Sequence, residues 1–273
     1  MKNALLQMVL FFLPFQMLAQ KLHSPLRDYY TGVGTYSKTH CDVFSFTNNQ
    51  AALTSIKSKT AGLYAEHKFF LKEMGLYTTA IAFPIRNGGI GVQLNYFGYS
   101  EYNESQAGIA YGKKLGKLVD LGVQFDYYHL QVAGYGSAGT IGFQIGSIFN
   151  LSDVFRVGMH VYNPAGSRFG KSSTEKLASI YTMGFGYDLT KEVFISIAIS
   201  KEENRPVHIN AGLHYQFAES FFARLGILTD TGSPYIGVGL LWNIFRFDVA
   251  VNYHPQLGIS PAMLLAIDLD RKE

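Results

Sequence analysis

From Thr60 onward the chain repeats a single pattern: runs of about ten residues in which every second side chain is apolar, separated by clusters of turn formers. In Val207 to Phe217, the residues Val207, Ile209, Ala211, Leu213, Tyr215 and Phe217 fall on one face, and His208, Asn210, Gly212, His214 and Gln216 on the other. A helix would scatter both sets around its axis, whereas an extended strand puts them on opposite sides. Phe245 to Tyr253 and Val119 to Tyr127 divide in the same way. Further runs lie near Ala61 to Lys68, Gly75 to Ile85, Ile90 to Ser100, Gln106 to Leu115, Thr140 to Phe149, Val154 to Tyr162 and Leu177 to Asp188. Val193 to Ser200, Phe221 to Leu228, Tyr235 to Trp242 and Ala262 to Leu269 complete a set of about fourteen strands.

The less apolar face of these runs is lean in charge and rich in glycine, as at Gly142, Gln144 and Gly146, at Gly184 and Gly186, and at Gly237 and Gly239. Such a face suits a narrow enclosed lumen better than water, where charged residues are expected. Aromatic residues gather at strand ends, among them Tyr187, Tyr215, Phe217, Phe221, Trp242 and Phe247, as rings do at the headgroup level of a bilayer. Connections can be laid out as short turns near 87–89, 116–117, 150–153, 190, 218–220 and 243, alternating with predicted outer loops, of which 163–176 is the longest. The expected fold is therefore all-β: a transmembrane antiparallel β-barrel of about 14 strands, its apolar side facing outer-membrane lipid. A soluble β-sandwich is the competing architecture, and an open sheet of that size with so few charges would aggregate at its edges.

The N-terminal region differs. Lys2 precedes an apolar stretch from Ala4 to Leu18, and Ala19 follows at a plausible cleavage point, which reads as a signal peptide over residues 1–19. Residues 20–59 have weak periodicity, with one short helix expected around Gln50 to Ile56, and form a periplasmic or hatch segment. The barrel is assigned to residues 60–269 and a polar tail to residues 270–273.

Few residues invite a chemical role. The formal charge of +3 is scattered, which argues against nucleic acid, and the lone Cys41 can form no internal disulfide. Gly134, Gly136 and Gly139 match the letters of a dinucleotide fingerprint but lead into a strand instead of opening a helix. Arg156, His160, His208, His214, Arg224, Arg246 and Asp248 all fall on the predicted lumen face, where they form a candidate polar cluster without a zinc-site spacing. His254, Ser260 and Asp268 are nominal members of a hydrolytic triad, and no catalytic, metal or cofactor site is assigned. Tyr135, Arg168 and Phe169 lie in predicted outer loops and are candidate contacts for a protein partner, since aromatic and Arg side chains dominate binding energetics.

Two stretches carry a resemblance. In Gly34 to Leu53, GTYSKTHCDVFSFTNNQAAL, the residues Asn49, Gln50, Ala51, Ala52 and Leu53 occupy an N-P-A-x-L box, with Gln50 where the box has Pro; Phe245 to Leu269, FRFDVAVNYHPQLGISPAMLLAIDL, looks like a last hairpin. Both resemble the PorV/PorQ family of Bacteroidota outer-membrane proteins, a branch of the FadL-like barrels. The resemblance implies fourteen strands around an N-terminal hatch. It also implies a non-enzymatic accessory of type IX protein secretion that binds secretion components or secreted cargo, with passage of a hydrophobic small molecule as the alternative.

Overall fold

The computed structural model describes residues 22–23, 28–170, 175–229 and 232–270. The signal segment and the last three residues of the tail lie outside the described residues. Strands β1 (Thr60–His67), β2 (Gly75–Ile85), β3 (Gly88–Gly98), β4 (Tyr102–Leu115), β5 (Val119–Val132), β6 (Gly136–Asn150) and β7 (Phe155–Tyr162) form the first half of the barrel. Strands β8 (Ile180–Asp188), β9 (Val193–Glu202), β10 (Val207–Gln216), β11 (Phe221–Leu228), β12 (Ser233–Trp242), β13 (Phe245–His254) and β14 (Gly258–Asp268) form the second. Each pairs antiparallel with its neighbours in sequence, and β14 closes on β1 from Ala262↔Glu66 to Asp268↔Thr60, so the sheet closes into a barrel.

The expected alternation is the observed one. On β5, Gln124 is fully buried while its neighbour Phe125 is 67 % exposed. Ile109, Ile141, Ile236 and Met263 are exposed on other strands. Large apolar side chains outside and amides and carboxylates inside invert the order of a soluble protein and match a hydrocarbon surround. Among the described residues, no helix is long and apolar enough to cross a membrane.

One end of the barrel carries the tight turns. Residues 86–87 and 243–244 join β2 to β3 and β12 to β13, with Asn87 and Asn243 at φ 64° and 53°, a conformation that Asn tolerates in two-residue hairpins. Thr60 and Asp268 lie at this same end. The opposite end carries residues 68–74 and the long connection 163–179. Strands β4 and β5 start earlier and end later than the alternation predicts, at Tyr102 and Val132, and β6 starts at Gly136. Pairing such as Tyr102↔Val132 and Val132↔Gly136 continues the ladder past the apolar belt, where the apolar side chains Tyr128, Leu130 and Val132 turn inward.

Residues 28–56 enter the lumen. They contain a 3-10 turn at Thr31–Gly34, a helical turn at Ser45–Asn48 and a 3-10 turn at Gln50–Ser55 in place of the single predicted helix. Tyr30, Phe44, Phe46 and Leu53 are fully buried against inward residues of the wall. Wall glycines make this approach possible: Tyr36 lies against Gly158, Gly184 and Gly186, where any side chain would overlap the ring or its backbone.

Candidate functional site

The interior of the barrel is the candidate site, and the plug formed by residues 28–56 meets two chemically different walls there. On β11 and β13, plug residue Asp42 accepts from Arg224 Nη2 at 3.0 Å and Arg246 Nη1 at 2.6 Å through one carboxylate oxygen. Arg246 also forks onto Asp248 at 2.8 and 2.5 Å, and the Tyr30 hydroxyl donates to Asp248 at 2.9 Å. Burial raises the Asp42 pKa, but the guanidinium groups of Arg246 and Arg224 outweigh it and hold the carboxyl below its ordinary value. At the tight-turn end, Asp188 accepts from Ser37 Oγ, Thr39 Oγ1 and the Lys38 backbone N–H, and Arg156 donates to Ser37 O and Ser55 Oγ.

The wall formed by β3 to β7 uses amides. Asp126 accepts from Gln106, Gln124 and Gln144 side-chain N–H groups at 2.8, 2.6 and 2.8 Å. Gln144 in turn accepts from plug residue Gln50 at 3.1 Å, and its Oε1 lies 2.9 Å from His160 Nε2. Gly108 gives this cage its room, because a Cβ there would strike Asp126 and Gln124. Asn49 caps the 3-10 turn by accepting from Ala51 N and donates to the carbonyls of Ser147 and Met159, tying plug to wall.

Cavities beside the plug include one of about 460 Å³ at the tight-turn end, one of 80 Å³ beside the amides, and one of 200 Å³ between Asp28, Glu66 and Lys68 near the other mouth. Beside the last of these, burial pushes the Asp28 carboxyl up to about 6 against the backbone N–H of Thr31, with Glu66 adding to the rise.

Compared with solved structures, this arrangement of strands is shared widely. The Ralstonia pickettii toluene transporter TbuX superposes with a TM-score of 0.61 at 10% identity, covering 91% of this chain and 97% of that one. A Pseudomonas aeruginosa FadL homologue gives 0.61 at 9% identity over 89% and 98%. The Pseudomonas putida toluene transporter TodX gives 0.61 at 9% identity over 88% and 96%. The fold is that of FadL-type barrels. No family model and no curated protein matches the sequence.

Within this FadL-like barrel the seven residues of the candidate polar cluster all point inward but do not converge. His214, Arg224, Arg246 and Asp248 share the Asp42 wall, Arg156 sits at the tight-turn end, His160 belongs to the amide cage, and His208 lies edge-on to Tyr29 at 6.3 Å. The nominal triad is corrected by position: Ser260 Oγ accepts from Phe69 N near the long-loop end, while Asp268 accepts from Ser58 Oγ at the other end of the same strand. All five box residues Asn49, Gln50, Ala51, Ala52 and Leu53 are fully buried in the lumen. Of the loop candidates, Tyr135 is 92 % exposed and Arg168 is exposed, but Phe169 is buried among Tyr128, Leu130, Tyr162, Leu177 and Ile180. It turns inward because the long connection folds over the inner face of β5 and β6, where a ring is better placed than in water. Gln106, Gln124 and Asp126 carried no functional signal in the sequence beyond lying on a polar face; their convergence comes from strand register, Ala107↔Tyr127 and Gly108↔Asp126.

Proposed function

We propose that the protein is a non-enzymatic outer-membrane channel that passes a hydrophobic small molecule. The observation that carries this reading is a discontinuity in the wall. Strand β7 stops at Tyr162, opposite Gln144, so residues 136–143 of β6 continue toward the mouth with no β7 beside them. The long connection stands in instead, through Asn163 N to Phe143 O, Ser167 Oγ to Ile141 O and Gly170 N to Gly139 O. Behind this stretch the interior is apolar, with Tyr128, Leu130, Tyr162, Phe169, Leu177 and Ile180 packed together, whereas the lumen below is amides and ions. A hydrophobic molecule crosses a membrane protein most readily where the strand ladder is incomplete and the lining is greasy. The fold shared with toluene transporters supports the same class of substrate.

The decisive experiment is uptake of a labelled monoaromatic hydrocarbon by cells or outer-membrane vesicles with and without the protein. Uptake several-fold faster with it supports the reading, and equal rates overturn it. The type IX secretion reading keeps the sequence resemblance as its support. It has less from the rim, where Phe169 is buried; secretion of type IX cargo in a deletion strain tests it separately.

A further inference from the structure

The outward side of the wall changes character where the apolar belt ends on β8 and β9. Met183 pairs with Ile199 on that face, and the next outward pair toward the long-loop end is Tyr181 with Lys201. Tyr181 is 55 % exposed and Lys201 is exposed, so the belt ends in a phenol beside an ammonium group. The long connection extends this surface. Phe169 and Leu177 turn inward, and the alternation about them puts Arg168 and Lys176, joined by an antiparallel bridge, on the outward side.

These four side chains and Glu203 line an open concavity of about 780 Å³. Lys176 and Glu203 neutralise each other, the ammonium group donating to both carboxylate oxygens at 2.7 and 2.6 Å. Lys201 gives one N–H to the Arg205 carbonyl and keeps two. Arg205 itself pairs with Glu202, whose side chain lies inward. Arg168 and Lys201 are thus two exposed cations that no carboxylate lining the concavity balances. A guanidinium fork, an ammonium point charge and a phenol hydroxyl together match the oxygens of a phosphate. A free anion would use only these groups. Just beyond them Met183, Ile199 and Val207, which pairs with Lys201, continue the apolar face toward the middle of the barrel. A lipid uses both surfaces at once, since basic and aromatic side chains meet headgroups at this depth.

We propose that this concavity binds a phosphate-bearing lipid of the outer leaflet, its phosphate on Arg168, Lys201 and Tyr181 and its acyl chains along Met183, Ile199 and Val207. The site lies outside the lumen, on the face turned to the bilayer, and would tie the long connection to the membrane beside it. The inference rests on the outer-membrane placement and is independent of what passes through the barrel.

The test is native mass spectrometry of the detergent-solubilised full chain, titrated with bisphosphorylated lipid A and with the same glycolipid stripped of its phosphates. The phosphorylated form is expected to bind about tenfold tighter, a gap that high salt narrows. Arg168→Gln combined with Lys201→Gln should remove most of the gap, and Tyr181→Phe should weaken the phosphorylated form several-fold. All three residues are exposed, so these variants keep the barrel intact. Lys117→Gln, an exposed change in a tight turn at the far end, should leave the gap as it is. Equal binding of the two lipids, or a preference that survives the double variant, overturns the proposal. Displacement of lipid A by millimolar inorganic phosphate assigns the concavity to the free anion and overturns the lipid source. Fractionation of cells tests the placement separately: protein found with the outer membrane but lacking the lipid preference sinks this inference alone, and protein found elsewhere sinks the outer-membrane reading.

Discussion

Along β11 and β13 the plug meets charge: one carboxylate of Asp42 is shared by two guanidinium groups, one of which is also forked by Asp248. Along β4 to β6 it meets neutral amides, with Gln50 joined through Gln144 to a cage around Asp126 in which each bond has several neighbours. Both walls satisfy buried polar groups, but they differ in how the satisfaction is distributed. An ion pair concentrates it on two partners, and removing either leaves an uncompensated charge in a dry interior. An amide mesh spreads it over many bonds of about 1 kcal/mol, so the loss of one is absorbed by the rest. The charged wall fixes where the plug sits, and the amide wall tolerates variation in what the plug presents.

The largest effect should therefore follow Asp42→Ala, which leaves Arg224 with only His214 and the ring faces of Tyr30 and Phe222 around it. Breaking a buried pair by removing one member costs about 3 to 5 kcal/mol. Hydrogen exchange over residues 44–56 should accelerate accordingly, and single-channel conductance in a planar bilayer should rise as the plug loosens. Unchanged exchange and conductance would mean that the amide wall alone holds the plug, and the contrast drawn between the walls would fail.

Acid should act on the Asp42 and Asp28 regions of the plug in opposite senses, by a smaller amount. The Asp42 carboxyl has a folded pKa below its unfolded value of about 4, so its stabilisation is complete above pH 4 and is lost as pH falls through the lower folded value. Asp28 is the reverse case: its folded value of about 6 exceeds the unfolded one, so ionisation opposes folding above pH 6 and the opposition fades as pH falls from 7 toward 4. Exchange around Thr31, which donates to Asp28, should slow between pH 7 and 5 after correction for intrinsic rates. Around Phe44 it should hold level down to about pH 4 and quicken below. A common response at both places would show that the plug moves as one body.

The strands were legible because the lipid-facing side is uniformly apolar and the period of two admits no other regular structure. Legibility stopped where that physical signal stops. Residues 128–132 and 136–139 extend β5 and β6 beyond the belt with the apolar side turned inward, as at buried Tyr128 and Leu130 beside exposed Gln131, so the greasy outward face that marks the other strands is missing there. The inward direction of His208, His214 and Arg224 could be read from alternation, yet their partners could not, because Asp42 lies 182 positions from Arg224 and 204 from Arg246. Phe169 was legible as an aromatic in a loop, and its burial depends on how that loop folds back, which no local pattern encodes.

The smallest effect is expected at Gln50, where the resembling family has Pro. The residue opens the 3-10 turn, a position whose backbone N–H has no partner within the turn, so a Pro there removes nothing the turn uses. Asn49 before it is extended, at φ −160° and ψ 112°, as a residue preceding Pro must be. Gly146 faces this backbone without a side chain. Gln50→Pro deletes the bond to Gln144, worth about 1 kcal/mol, but also removes the unpartnered Gln50 Oε1, and Gln144 Oε1 retains its contact with His160. Reduced freedom of the unfolded chain returns roughly 0.4 to 1 kcal/mol. Denaturation midpoints of the variant and the parent should therefore agree to within about 1 kcal/mol. A loss above about 2 kcal/mol would show that the Gln50 to Gln144 contact is a keystone, and that the amide wall is as dependent on single partners as the charged one.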